Sequence, residues 1–373
     1  MARAAAAGAD QYIASSRWMC EGRPSVTGDR SPRRPAVAPE SQPGCCRWGH
    51  ADPRPGNTHP MKEQTMKIFL ALWYAMKALA RLAMIGMAMA VLGSGPAHAA
   101  TAITAGKVQV EVVGNGRPLL MIPGLNSSAE VWRETCLALK DVQCHLVQLP
   151  GFAGAAAADP RPAEFLPAMR GQLLAYLHDQ HLGPMVVIGH SLGGLLGLQM
   201  AQAEPKAVSA LVVVDALPFL PAARDPNASA DSVRPMAGQL RKGMLAADAA
   251  QWQAQLKAGL PGMTRDPQRQ AELGRWGEGS DRQTTADAMH VVMTTDLRDS
   301  IASISAPTLV LGSWAGYQPM GATEDSTRAV FQTQYAKLHG VQIAMSAQGF
   351  HFLMWDDPRW LQEQVQRFLA AHP

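Results

Sequence analysis

Positions 189–193 read Gly189-His190-Ser191-Leu192-Gly193, a serine hydroxyl set between two residues that have no side chain. The apolar run 185–188 leads into this pentapeptide and a helical pattern follows over 192–201, so Ser191 has to occupy a sharp strand-to-helix turn. Such a bend strains its central residue and tolerates only small neighbours. It also lifts the hydroxyl clear of the sheet and aims the first free N–H groups of the helix at an anion forming beside it. A serine placed this way is a candidate nucleophile. The pentapeptide alone also fits a small-residue turn without chemistry; the strand before it, the helix after it and a histidine late in the chain favour the catalytic reading.

The residues that must position Ser191 read as alternating strands and helices. Residues 108–113 alternate in polarity and run into Gly114-Asn115-Gly116, which predicts a hairpin into the apolar strand 118–122. That strand ends in Pro123-Gly124-Leu125. A helix over 129–139, a strand over 145–149 and a long amphipathic helix from about 163 to 181 precede the strand of Ser191. After its helix comes a further apolar strand, 207–214, ending at Asp215. This order predicts an α/β fold with a mostly parallel, doubly wound sheet covered on both faces.

Residues 216–304 break the rhythm with Pro218, Pro221, Pro226 and Pro235 and then helical text such as 248–260, and they are expected to form a helical cap over the sheet's C-terminal edge. Phe219, Leu220, Met244, Trp252, Trp276, Met289 and Met293 within it suit either an acyl pocket or cap core, and Trp and Met at helical spacing favour core. The alternation resumes with a strand at 308–312, a helix over 324–338, a strand at 341–345, the loop holding Gly349-Phe350-His351-Phe352, and a closing helix over 358–371.

The chain has 373 residues, but the first hundred do not read as domain material. Residues 1–75 begin with a stretch rich in Arg, Pro, Ala and Gly that cannot bury enough surface to offset chain entropy. Met61, Met66 and Met76 offer later starts, so 1–75 is expected to be a disordered leader or a segment that is never made. From Met76 the basic residues Lys77 and Arg81, the apolar core 82–92 and the small-residue segment ending at Ala99 predict a secretory signal peptide over 76–99. Its apolar run of 11 residues falls short of the ~20 that span a bilayer, so no stable membrane anchor is expected after cleavage. The mature domain is then 100–373, in the periplasm or secreted.

Losing the 12 Lys and Arg and the 6 Asp and Glu of residues 1–99 turns the net charge from +3 to −3. A mildly acidic mature chain without a basic cluster argues against a nucleic-acid partner. Cys20, Cys45 and Cys46 fall in the leader. Cys136 and Cys144 remain, and in an oxidising compartment they are expected to pair, with two buried free thiols as the alternative. No Cys/His cluster has zinc spacing, so neither a metal nor a cofactor is expected.

Residues 108–373 resemble the α/β-hydrolase family, close to esterase and lipase-like members with a helical cap. Three landmarks carry the resemblance in order: Pro123-Gly124-Leu125, Gly189-His190-Ser191-Leu192-Gly193, and Gly349-Phe350-His351-Phe352 before the last helix. It implies Ser191 as nucleophile, His351 as the base that a weakly nucleophilic hydroxyl requires, and the backbone N–H groups of Leu192 and Leu125 as oxyanion donors. His190 is expected to be structural or pocket-lining. Most relatives carry the triad acid just past the strand equivalent to 308–311, where this chain has Gly312-Ser313-Trp314-Ala315-Gly316 and no carboxylate. Branches that place the acid one strand earlier point to Asp215, with Glu324 and Asp325 as alternatives. The implied activity is hydrolysis of a small-molecule carboxylic ester through an acyl-enzyme. Acyl transfer, lactone, thioester or C–C hydrolysis by the same triad is a second reading, and a non-catalytic binding protein on the same fold a third.

Overall fold

The computed structural model describes residues 106–373; the expected leader (1–75) and signal peptide (76–99) lie outside the described residues. The strands are β1 (Gln109–Gly114), β2 (Arg117–Ile122), β3 (Val142–Gln148), β4 (Met185–His190), β5 (Val208–Val214), β6 (Thr308–Gly312) and β7 (Gln342–Met345). The helices that matter for the site are α1 (Arg133–Ala138), α2 (Phe165–Asp179), α3 (Leu192–Ala203), then α4 (Ala230–Ala246), α5 (Ala249–Ala258), α6 (Leu260–Met263), α7 (Pro267–Glu278) and α8 (Arg282–Thr294) between β5 and β6, and finally α9 (Glu324–Gln334), α10 (Leu353–Asp356) and α11 (Pro358–Ala371). The strands form one sheet in the order β1-β3-β2-β4-β5-β6-β7, parallel throughout except for β1.

The expected hairpin between the first two strands does not form: β1 pairs antiparallel with β3, and β3 lies between β1 and β2. Gly114 (φ +81°) and Gly116 (φ +125°) do turn the chain, but across the entry to β3. A Cβ on Gly116 would lie 2.2 Å from the Asp141 carbonyl oxygen, and the Arg117 N–H donates to that oxygen at 2.9 Å. The reason is burial. Residues 119–122 are buried on both faces and need a ladder on both edges, which β3 and β4 supply, whereas the half-exposed β1 tolerates the sheet edge.

Successive residues of each inner strand feed opposite faces. Leu120, Ile122, Val187, Leu211, Val213 and Val310 pack on one side with α2, α3 and α9; Leu119, Met121, Val186, Ile188, Val212 and Leu309 pack on the other with α1, α10 and α11. Each such side chain removed from water contributes roughly 1.5–3 kcal/mol, which is why these strands read as unbroken apolar runs. A disulfide joins Cys136 of α1 to Cys144 of β3, with the Cα atoms 6.1 Å apart.

Residues 216–304 fold as helices. Pro235 lies inside α4, a helix the prolines of this stretch conceal in the sequence. Ser229 caps it through a reciprocal bond pair with Ser232, and α4 packs along α8; together these outweigh the proline's cost. The start of α8 is fastened to the loop after β3: Asp281 N–H donates to the Gly151 carbonyl (2.7 Å), and Ala153 N–H donates to Ser280 Oγ (2.9 Å). Thr285 Oγ1 donates to Asn126 Oδ1 (2.7 Å) in the loop after β2.

Candidate active site

Ser191 is the residue between β4 and α3, with φ 52° and ψ −119°, a conformation that L residues adopt only under strain. Its surroundings explain the glycines. A Cβ on Gly189 would lie 2.2 Å from the Gly193 carbonyl oxygen, and one on Gly193 would lie 2.3 Å from that of Ile122. The turn is pinned by Ser191 N–H donating to the Val214 carbonyl (2.9 Å) and by Gly194 N–H donating to the Ser191 carbonyl (2.8 Å).

The next strand end carries Asp215, the acid expected from the sequence. Asp215 follows β5, is buried, and has φ 47°. Its backbone N–H donates to the Leu311 carbonyl at 2.7 Å. Since His190 pairs with Val214 across β4 and β5, Ser191 and Asp215 leave adjacent strands at the same level. His351 comes from the loop between β7 and α10, and its Nδ1 meets Asp215 Oδ2 at 2.6 Å. With Nδ1–H engaged by a carboxylate, the ring is held in the tautomer whose basic nitrogen is Nε2. The Ser191 hydroxyl is not hydrogen-bonded to His351 in this structure. Glu324 pairs instead with Arg328 on α9, and Asp325 lies beside it in the first turn of that helix.

Leu192 opens α3, where the first N–H groups have no intrahelical acceptor. The loop 123–125 lies directly against the serine, since a Cβ on Gly124 would stand 3.2 Å from Ser191 Cβ and 3.0 Å from His190 Nδ1. Ser127 closes this loop, its N–H donating to the Gly124 carbonyl (3.3 Å) and its hydroxyl to the Leu125 carbonyl (3.2 Å).

His190 is fully buried. Burial, with the nearby His351, pushes its ring well below the usual imidazole range, so the ring is neutral. It donates from Nε2 to the His351 carbonyl at 3.0 Å and so ties the turn of Ser191 to the histidine loop. The rings of Phe352 and His351 both lie 4.6 Å from it, centroid to centroid. Sequence reasoning missed this bond, and also missed Ser313 and Asp356. Ser313 donates to both oxygens of Asp215, and Asp356 ties Phe350 to Thr264 and Arg265 of the cap. No motif marks these residues, because their partners are brought together only by the sheet.

Among the cap residues, Phe219 is buried with Ala222, Ala228 and Val233 under the Arg298 guanidinium, and Met244, Trp252 and Met289 pack together. Trp276 packs on Trp355 at 5.6 Å, Met293 is buried, and Leu220 is exposed. Phe219, Met244, Trp252 and Met289 thus pack within the helical region itself, whereas Trp276 packs onto the sheet-face core. Among the described residues there is no group of three or more His, Cys, Asp and Glu that could hold a metal ion, and no helix is long and apolar enough to cross a membrane.

Comparison with known proteins agrees with this architecture. A pimeloyl-[acyl-carrier protein] methyl ester esterase of Vibrio atlanticus (strain LGP32) is 29% identical over 231 residues, 60% of this chain and 86% of that protein. In structure the chain is similar to a hydrolase from Pseudomonas aeruginosa PA01 (TM-score 0.58, 18% identity, 70% of this chain and 94% of that one). It is also similar to the enol-lactonase from Burkholderia xenovorans LB400 (TM-score 0.56, 18% identity, 70% and 96%). The sequence profile of the alpha/beta hydrolase family matches residues 119–370, and the chain belongs to that family.

Proposed function

We propose that the protein is an exported serine hydrolase that cleaves small-molecule carboxylic esters through an acyl-enzyme, with Ser191 as nucleophile, His351 as base and Asp215 as acid. The observation that carries this reading is the 2.6 Å contact between His351 Nδ1 and Asp215 Oδ2, made at the strand ends that also hold Ser191 on its strained turn. The similarity to a methyl ester esterase supports the substrate class.

In this reading Ser191 Oγ attacks the ester carbonyl carbon while His351 Nε2 takes the hydroxyl proton. The carbonyl oxygen becomes an oxyanion, and the N–H groups of Leu192 and Leu125 stabilise it; in comparable sites losing one such donor costs about 3 kcal/mol. The C–O bond to the alcohol then breaks, and His351 hands its proton to the leaving oxygen. Water, deprotonated by the same Nε2, attacks the acyl-serine, and collapse of the second tetrahedral intermediate releases the acid and returns the proton to Ser191. Asp215 holds the ring in the required tautomer and stabilises the imidazolium that forms twice per turnover.

A fluorophosphonate probe should label the purified protein, and chromogenic esters of graded acyl length should be hydrolysed, with both signals lost in Ser191→Ala. An unlabelled wild-type protein that retains its fold would favour a binding role on this scaffold. Export is part of the same proposal, supported by the predicted signal peptide and by the Cys136–Cys144 disulfide, a bond that persists in oxidising compartments.

A further inference from the structure

We propose that Ser313 is a positioning residue for the Asp215–His351 pair, holding the carboxylate in the one rotation that meets the imidazole. The proposal rests on the ester-hydrolase reading and adds a residue to its site. Ser313 is the first residue past β6 and is fully buried. Its backbone N–H donates to Asp215 Oδ1 at 2.7 Å and its hydroxyl donates to Asp215 Oδ2 at 2.9 Å, the same oxygen that His351 Nδ1 meets at 2.6 Å.

Two donors from one residue, one to each oxygen, lock a carboxylate against rotation about its Cβ–Cγ bond in a way that one donor cannot. Lock and load come from different places. The strand ends of β5 and β6 set the plane of the carboxylate, and the histidine loop docks onto it. Asp215 needs this support. It sits at φ 47°, its side chain is only 5% exposed, and among the described residues its ion-pair partner is His351 alone, with no lysine or arginine to orient it. A buried carboxylate in that position has to be satisfied by hydrogen bonds, and Ser313 supplies two of the three it receives from N–H and O–H groups.

The geometry also accounts for the absence of a carboxylate after β6. The 313 side chain ends 2.9 Å from the oxygen that faces His351, so the strand ends of β5 and β6 address the same imidazole. In this chain the acid stands on one and its hydroxyl donor on the other, and the two roles are exchangeable in principle.

Two variants test this, each checked for fold by circular dichroism and thermal melting. Ser313→Ala removes one oxygen and should lower kcat on a short-chain chromogenic ester at least tenfold while KM stays within about twofold. A serine that merely packs would lower the melting temperature without that split. The exchange Asp215→Ser/Ser313→Asp should be at least tenfold more active than Asp215→Ser alone, because the carboxylate then reaches His351 from β6 with a hydroxyl beside it. A folded Ser313→Ala protein with kcat within twofold of wild type overturns the proposal, and this variant decides the matter alone if the exchange does not fold. If wild-type protein neither takes up the fluorophosphonate probe nor cleaves any ester, the ester-hydrolase reading fails and this proposal with it. If wild type reacts and Ser313→Ala matches it, only the role of Ser313 fails.

Discussion

Burial withholds protons from three histidines outside the proposed triad: the partly buried His290, where Arg241 and Arg234 add to the effect, and two more deeply buried rings. This makes stability depend on pH in a predictable direction. His190 is fully buried and His145 mostly so, the latter between Tyr176 and Gln143, and desolvation lowers both rings below the ordinary 6.5. The sign follows from which state binds the proton. As pH falls below about 6.5 the unfolded chain protonates these rings and the native one does not, so stability is full above that value and declines below it, by at most ~1.4 kcal/mol per pH unit for each ring. Glu130, lowered by its bond to Arg133, acts only below about 4.5, outside this window. Urea unfolding at pH 7.5 and 5.0 should show the loss, and His145→Gln should make it shallower; equal stability at the two pH values would contradict the assignment. At the same scale, Asp215→Asn should cut kcat by roughly 10³–10⁴-fold, as loss of the orienting acid does elsewhere, with little change in unfolding free energy. The turn that holds Ser191 and the loop that holds His351 were legible in the sequence because a glycine-flanked turn and a loop before a final helix leave marks along the chain. Asp215 was legible only through the missing carboxylate after β6. Ser313 and the carbonyl-directed His190 were not, since what defines them is a neighbour 98 or 161 residues away.

Helices and loops of the cap hold the histidine loop from outside the sheet, and Asp356 is where they meet. Its carboxylate accepts from Thr264 Oγ1 (2.7 Å), from Arg265 N–H (3.2 Å) and from Phe350 N–H (3.1 Å), while Phe352 N–H donates to the Met263 carbonyl (3.0 Å). His351 is thus bracketed by two amides whose acceptors lie at the joint between α6 and α7 or are fastened to it, so movement of that joint moves the proposed base. Asp356→Asn keeps the shape but turns one acceptor into a donor and strands an N–H, which should cost about 1–3 kcal/mol in unfolding free energy. Hydrogen exchange should show the amides of Phe350 and Phe352 opening faster, and unchanged protection there would mean that the cap does not carry the loop. The inner strands were legible from composition alone, because burial on both faces demands continuous apolar runs, and the closing helix over 358–371 was bounded by its proline. The β1–β2 hairpin was misread, because a glycine turn between two strands looks the same whether they pair with each other or take a third strand between them. The helix α4 was hidden by Pro235, which local propensity penalises and packing against α8 overrides.

For the molecule as a whole, the disulfide, the charge and the proposed export belong to one argument. Cys136 and Cys144 close a loop of eight residues' separation between α1 and β3, at the sheet edge where β3 meets β1. In the chain-entropy account a loop of this size stabilises the fold by about 2–3 kcal/mol through the unfolded state it excludes. A protein made for a reducing compartment gains nothing from that pair, whereas an exported one depends on it. Produced with its leader in a host that exports it, the protein should be recovered starting at Ala100. Its intact mass should show no uptake of an alkylating agent until it is reduced, and reduction followed by alkylation should add two groups. The double variant Cys136→Ala/Cys144→Ala should unfold at lower denaturant with an m-value equal to or slightly above that of wild type, because the constraint is lost from the unfolded chain, which then exposes a little more surface, and not from the native core. Protein recovered from the cytosol only, with both thiols alkylated at once and the double variant as stable as wild type, would remove the case for export and leave the hydrolase reading untouched, because that reading depends on Ser191, Asp215 and His351 and not on the compartment in which they work.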